Sequence, residues 1–161
     1  MKMNFFICKQ IRFPIYALLF LSISLFACKK DSNENIAQNY STTGNASGSQ
    51  ENPPNSSSGT GTLTGTYNSE TKVWQYNINW NNLTSAATAV ELRGPASIGV
   101  NGALMFALSI SAPGINGTAS GNVTLSAQQE ADLLANKCYY TILSSTYLTG
   151  EIRGNITAIA N

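Results

Sequence analysis

The side chains that could do chemistry in this chain are few, and their spacing is specific. Glu91 and Arg93 lie two residues apart, and Glu151 and Arg153 repeat that spacing near the C-terminus. Side chains two apart on a strand share one face, so each pair can close on itself. If the two strands meet as in a sandwich, Arg93 faces Glu151 and Arg153 faces Glu91, giving a four-membered charge network. The alternative is two solvated pairs, each worth about 0–1 kcal/mol. Acid–base work by Glu91 and Glu151 as paired carboxylates is the one enzymatic geometry these residues leave open. The chain contains no histidine, which removes Ser/His/Asp and Cys/His catalysis and leaves too few converging ligands for a transition metal. No metal and no cofactor is expected. Gly114-Ile115-Asn116-Gly117 reads as a turn, with no lysine and no helix behind it to cradle a phosphate.

A second chemistry is written at the N-terminus. Lys2, Lys9 and Arg12 precede a nearly unbroken apolar run, Ile15 to Phe26. That length suits the core of an export signal and is short of the roughly 20 residues that span a bilayer. Leu25-Phe26-Ala27-Cys28 follows, and then Lys29-Lys30-Asp31. The pattern resembles the lipobox of bacterial lipoproteins, although Phe26 is bulkier than the residue usual there. It marks 1–27 as a signal peptide and Cys28 as the lipidated N-terminus of the mature chain; the alternative is an ordinary signal peptide cut near Ala27. One acyl chain holds a protein only weakly, whereas two membrane signals hold firmly, so a three-chain anchor would be permanent. Removing 1–27 leaves six basic residues against all eight acidic ones, and a mildly acidic chain with no basic cluster is a poor nucleic-acid ligand. Cys8 falls in the leader and Cys28 on the lipid, so Cys138 has no disulfide partner. It sits in the run Cys138-Tyr139-Tyr140-Thr141-Ile142-Leu143 and reads as a buried, inert thiol.

The elements that position these groups read as strands. Charged residues make up only 11% of the chain, and Asn, Ser, Thr and Gly fill the gaps between apolar runs, a composition that suits short strands and turns. Residues 28–45 read as the lipidated cysteine and a flexible tether, and 46–161 as one domain. Strands are expected at 59–67, 73–80, 88–93, 104–110, 117–125, 138–143 and from 150 onward. Trp74, Tyr76, Ile78 and Trp80 share one face of the second, and read as core rather than as a sugar-stacking platform. Leu104, Phe106, Leu108 and Ile110 are expected to face inward. Ser126-Ala127-Gln128-Gln129 fits a capping box opening the one helix, with Ala127, Ala131, Leu133 and Leu134 on its apolar stripe and Asn136 at its end. The last strand alternates, with Ile152, Gly154 and Ile156 inward and the charged pair on the opposite, open face. The expected class is all-β: an antiparallel β-sandwich or Greek-key barrel of about seven strands with one short helix.

Four segments give this chain a family resemblance: Ser47-Gly48-Ser49-Gln50-Glu51-Asn52-Pro53-Pro54, Gly59-Thr60-Gly61-Thr62, Arg93-Gly94-Pro95-Ala96, and Tyr147-Leu148-Thr149-Gly150-Glu151-Ile152-Arg153-Gly154. Their order over residues 46–158 resembles the CHRD domain, named after chordin. The resemblance implies a β-sandwich similar to immunoglobulin or Cu/Zn superoxide dismutase domains, and a secreted or lipid-anchored bacterial protein. Members of that family carry His-x-His before Gly-Pro-Ala and a further His after the tyrosine of the penultimate strand; here Glu91, Arg93 and Leu143 stand there. The expectation is a lipid-anchored envelope protein of the outer membrane, facing the periplasm or the cell surface. It would act by binding an unknown protein or glycan, without catalysis and without nucleic acid. The alternative is a degenerate redox or hydrolytic enzyme on a superoxide dismutase-like scaffold.

Overall fold

The computed structural model describes residues 38–161. The leader, Cys28 and the first part of the tether lie outside the described residues. The elements in chain order are β1 (Asn39–Ser47), a 3-10 turn (Gly48–Gln50), β2 (Thr60–Asn68), β3 (Val73–Asn81), β4 (Ala87–Arg93), β5 (Leu104–Leu108), β6 (Ile110–Ala112), β7 (Gly117–Thr124), α1 (Ala127–Leu134), β8 (Tyr139–Ser144), β9 (Ile152–Asn155) and β10 (Thr157–Ala160). They form one antiparallel sheet of order β5-β4-β8-β9-β1-β2-β3-β7-β6, with β10 beside β1. The sheet is nearly closed into a barrel.

Closure comes from a single segment. Residues 104–110, expected as one strand, break at Ser109, and the part after the break runs on to Ala112. The part before the break pairs with β4 and the part after it with β7, at opposite ends of the sheet. The Ser109 amide, freed from both ladders, donates to the Tyr76 hydroxyl at 3.0 Å. A buried hydroxyl and an unpaired amide thus satisfy each other. The last strand likewise divides, into β9 beside β8 and β10 beside β1.

The core fills the barrel. Trp74, Tyr76, Ile78 and Trp80 all point inward and are buried, as the alternation of β3 predicts. Burying an indole requires a home for its N–H. Trp74 Nε1 donates to Thr42 Oγ1 at 2.9 Å, and Trp80 Nε1 to the Gly114 carbonyl at 3.0 Å. The β2–β3 hairpin turns through Ser69–Lys72, where Asn68 Oδ1 accepts from the amides of Glu70 and Thr71. Cys138 is buried against Met105 Sδ, and burial, with Asp132 nearby, pushes its thiol up to about 12.

Four expectations are corrected. Residues 39–45 are strand rather than tether: β1 pairs along its whole length with β2, its inward residues being the small or polar Thr42, Gly44 and Ala46. The sheet holds ten strands rather than about seven. Leu104 is exposed, because a bulge puts Arg93 opposite Leu104 after Leu92 opposite Phe106, which turns Leu104 to the outer face. In α1 the buried face is Asp132 and Leu133, while Ala127 and Ala131 face solvent.

The ends of α1 are as the sequence reads. Ser126 and Gln129 form a complete capping box. Asn136 takes φ +58, with its amide on the Leu133 carbonyl and the Lys137 amide on the Asp132 carbonyl. This is the Schellman arrangement that closes a helix. Asn136 Oδ1 then accepts from the Ala158 amide, tying the helix end to β10.

Candidate functional site

The outer face of β4, β8 and β9 holds most of the charged side chains of the barrel wall. Registers place Glu91 opposite Thr141 and Thr141 opposite Arg153, so these three form one row across the strands. Arg93 lies opposite Tyr139 in the next row, and Leu143 opposite Ala89 in the row beyond. The positions where relatives carry histidine therefore share one face. Glu91 and Arg93 pair, Arg93 Nε donating to Glu91 Oε2 at 2.7 Å. Burial opposes the charge on Arg93, but the hydrogen bond and charge of Glu91 outweigh it and raise the guanidinium's pKa.

This face is not open. Two segments cover it, the turn and loop from Gly48 to Asn55 and the loop from Gly94 to Ala103. Arg153, the outward residue of β9, is fully buried under them. Its guanidinium lies 3.5 Å from the centre of the Tyr139 ring, a cation–π distance. It donates to the Val100 carbonyl at 2.8 Å and to Asn101 Oδ1 at 3.3 Å. Arg93 donates to the Gly102 carbonyl, and the Gly102 amide donates to the Tyr139 hydroxyl. The two covering segments are joined to each other: Asn52 Nδ2 donates to the Gly99 carbonyl, and Asn101 Nδ2 to the Asn52 carbonyl, both at 2.8 Å.

Glu51 is the residue sequence reasoning missed. It is buried, and Thr141 donates to its Oε1 at 2.6 Å. Burial raises its pKa; the Thr141 hydroxyl and the charges of Arg153 and Arg93 oppose that rise without cancelling it. A side chain on Gly150 would place its Cβ 2.5 Å from the Glu51 carboxylate. Gly150 has φ +140, a conformation that favours glycine. The first and last family segments thus interlock, glycine of one against carboxylate of the other. Gly154 has a similar reason, since a Cβ there would meet the Tyr140 ring at 2.5 Å. The signal for Glu51 was its place inside the first motif.

The four-membered network is not formed. β9 begins at Ile152, so strict alternation does not extend back to Glu151, which follows the Gly150 turn. Glu151 turns away from Arg153. It is fully buried, accepts from Ser57 Oγ at 2.7 Å and from the Thr84 amide, and makes no ion pair among the described residues. Burial works against its charge, but the nearby Ser144 hydroxyl and the bonds from Thr84 and Ser57 prevail and lower its pKa. It pins the start of β9 to two loops, while Arg153 serves a different face.

Beside the covered row a cleft of about 360 Å3 remains, lined among others by Glu51, Arg93, Tyr139, Leu143 and Leu148. Its charges could orient a polar ligand; among the described residues no three His, Cys, Asp or Glu side chains converge to hold a metal. Comparison with known proteins returns the CHRD domain family over residues 42–156. No curated protein and no solved structure matches the chain. With the family match spanning most of the chain and its motif residues meeting in one place, this protein belongs to the CHRD-domain family.

Proposed function

We propose that this protein is a lipid-anchored component of the bacterial cell envelope whose CHRD domain acts by binding a protein or glycan partner, without catalysis. Family membership suggests a binding or interaction module. Cys28 and the sequence before it support the anchor, and an outer-membrane position facing the periplasm or the cell surface is part of this proposal. The observation that carries the reading is the use made of the charged residues at the family's motif. Arg153, Glu51 and Glu151 are engaged with covering loops and neighbouring strands rather than presented to a reactant. Side chains fixed this way preorganise a surface, which favours binding.

Two measurements test it. Cys28→Ala should abolish lipidation and shift the protein out of the detergent phase; unchanged partitioning would refute the anchor. The purified full chain should carry no stoichiometric metal and should capture a partner from its native envelope. Stoichiometric copper, zinc or iron would overturn the non-enzymatic reading.

A further inference from the structure

We infer that the cleft at Glu51, Arg93 and Leu148 binds a small zwitterion of the α-amino acid type: an ammonium and a carboxylate on one carbon, with an apolar side chain. This is a site additional to any macromolecular partner proposed above and does not depend on one. The floor of the cleft is the outer face of β8. Tyr139, Thr141 and Leu143 stand on it in line, about 6.8 Å from one to the next, and Tyr139 and Thr141 are buried. Its volume, about 360 Å3, lies at the low end of ligand sites, roughly 300–1,000 Å3, which suits one residue-sized molecule.

Two opposite charges line this cleft with atoms to spare. Glu51 is only 8% exposed, and Thr141 occupies just its Oε1. Among the described residues no side chain donates to Oε2. The unpartnered side-chain atoms sealed from solvent belong to Tyr67, Glu151 and Arg153, so Oε2 opens on the cleft. A nearly buried carboxylate oxygen without a donor is costly. Arg93 spends Nε on Glu91 and Nη1 on the Gly102 carbonyl, which leaves Nη2 uncommitted. Its bond to Glu91 carries the guanidinium toward the row of Glu91 and Thr141, where Thr141 holds Glu51. The two charges sense each other, since Arg93 opposes the rise in the pKa of Glu51. Yet no ion pair joins them: among the described residues the pairs are Lys72 with Glu130 and Arg93 with Glu91.

The gap between those charges selects the ligand. An ammonium on Glu51 Oε2 and a carboxylate on Arg93 Nη2 each make a charge-assisted hydrogen bond, the strong kind. Both protein charges already have a counter-charge, Arg93 in Glu91 and Glu51 in Arg153. A molecule of no net charge leaves that balance intact, whereas a lone anion or cation upsets it. The remainder of the cleft is apolar on one side. Leu143 is half-buried, and Pro53 and Leu148 stand at the rim in solvent, Leu148 with 74% exposed. An apolar ligand side chain laid on them takes their surface and its own out of water.

The test is calorimetric titration of the full chain, in mild detergent, with leucine and phenylalanine. Two fragments of leucine serve as controls: 4-methylpentanoate, which lacks the ammonium, and 3-methylbutylamine, which lacks the carboxylate. Saturable binding of at least one amino acid is expected, with each fragment about tenfold weaker than leucine or worse. Glu51→Gln, which keeps an acceptor for Thr141 and removes the charge, should weaken amino-acid binding about tenfold or more, and so should Arg93→Gln. Either change could disturb the covering loops, so Leu148→Ser gives an independent reading. That side chain is largely exposed, and its loss should weaken leucine about threefold while leaving glycine unchanged. Asn77→Ala, on the far wall of the barrel, should change nothing. No binding of either amino acid overturns the inference. So does a fragment that binds as tightly as leucine, or amino-acid binding indifferent to all three cleft variants.

Discussion

The two sides of this barrel wall are built from the same strand geometry and used in opposite ways. Outward residues of β3, such as Asn77 and Asn79, stand in solvent, carry no charge and touch little. Outward residues of β8 and β9, such as Thr141 and Arg153, are as buried as the core, because two loops lie over them. A strand therefore does not decide whether its second face is surface. What lies across it does, and here the cover comes from segments distant in sequence. The covered side concentrates the charges of the wall and most of the family's motif residues; the open side carries Thr60 and Thr62 of the second motif but no charge, and leaves most of its hydrogen-bonding groups to solvent.

The largest effects should fall where a side chain is enclosed, whichever way its strand points. Trp80→Ala should cost about 3–5 kcal/mol, read from the shift in urea midpoint at constant slope. Arg153→Ala should approach that, about 3–4 kcal/mol, since it strips the Tyr139 face, leaves the Val100 carbonyl unbonded and removes a cation from beside buried Glu51. Asn77→Ala, at an outward position on β3, should stay within about 0.5 kcal/mol. If Arg153→Ala proves as mild as Asn77→Ala, the covered face is no more than surface and the comparison fails.

Much of the inner wall was legible in the sequence because half-buried strands advertise themselves by alternation. Val73–Asn81 does so fully, and the capping box and Asn136 fixed both ends of α1. β1 was not legible because its inward positions are Tyr40, Thr42, Gly44 and Ala46. Thr42 and Gly44 are small or polar since they face the Trp74 indole N–H and the Tyr140 hydroxyl, which bonds the Gly44 carbonyl, while the Tyr40 ring packs on Tyr67. The break at Ser109 was hidden because an unbroken apolar run carries no mark of changing partners. At the site, the pairing of Glu91 with Arg93 could be read from spacing, whereas the cover over Arg153 and the place of Glu51 depend on contacts between residues about 50 to 100 positions apart.

Acid should separate two buried carboxylates that look alike in sequence. Glu151 has a lowered pKa in the fold. Its stabilising contribution is present above the unfolded value, about 4.3, and is lost as pH falls through the lower folded value. Glu51 has a raised pKa. Its ionised form costs stability at neutral pH, and that cost is relieved as pH falls through the raised folded value toward about 4.3. Denaturation of Glu51→Gln and Glu151→Gln across pH 3–7 should therefore give opposite slopes. The advantage of the natural chain over Glu151→Gln shrinks on acidification, while its standing against Glu51→Gln improves. Slopes of the same sign would mean that the two carboxylates share one environment, contrary to their hydrogen bonds.

The smallest expected effect concerns the pair at the vacated histidine positions. Glu91 and Arg93 are in contact at 2.7 Å but partly exposed, at 14% and 30% of their side chains. Solvent screens such a pair, and a double-mutant cycle should give a coupling of about 0.5–1 kcal/mol. A cycle on Arg93 and Glu151 should give a coupling indistinguishable from zero, because Glu151 is held by Ser57 and Thr84 on the far side of the Gly150 turn. A clear coupling between Arg93 and Glu151, with none between Glu91 and Arg93, would restore the four-membered network and refute the division of labour between Glu151 and Arg153. The local pair alone would mean that this chain has replaced imidazoles by a self-contained ion pair, leaving Glu51 and Arg153 to hold the cover in place.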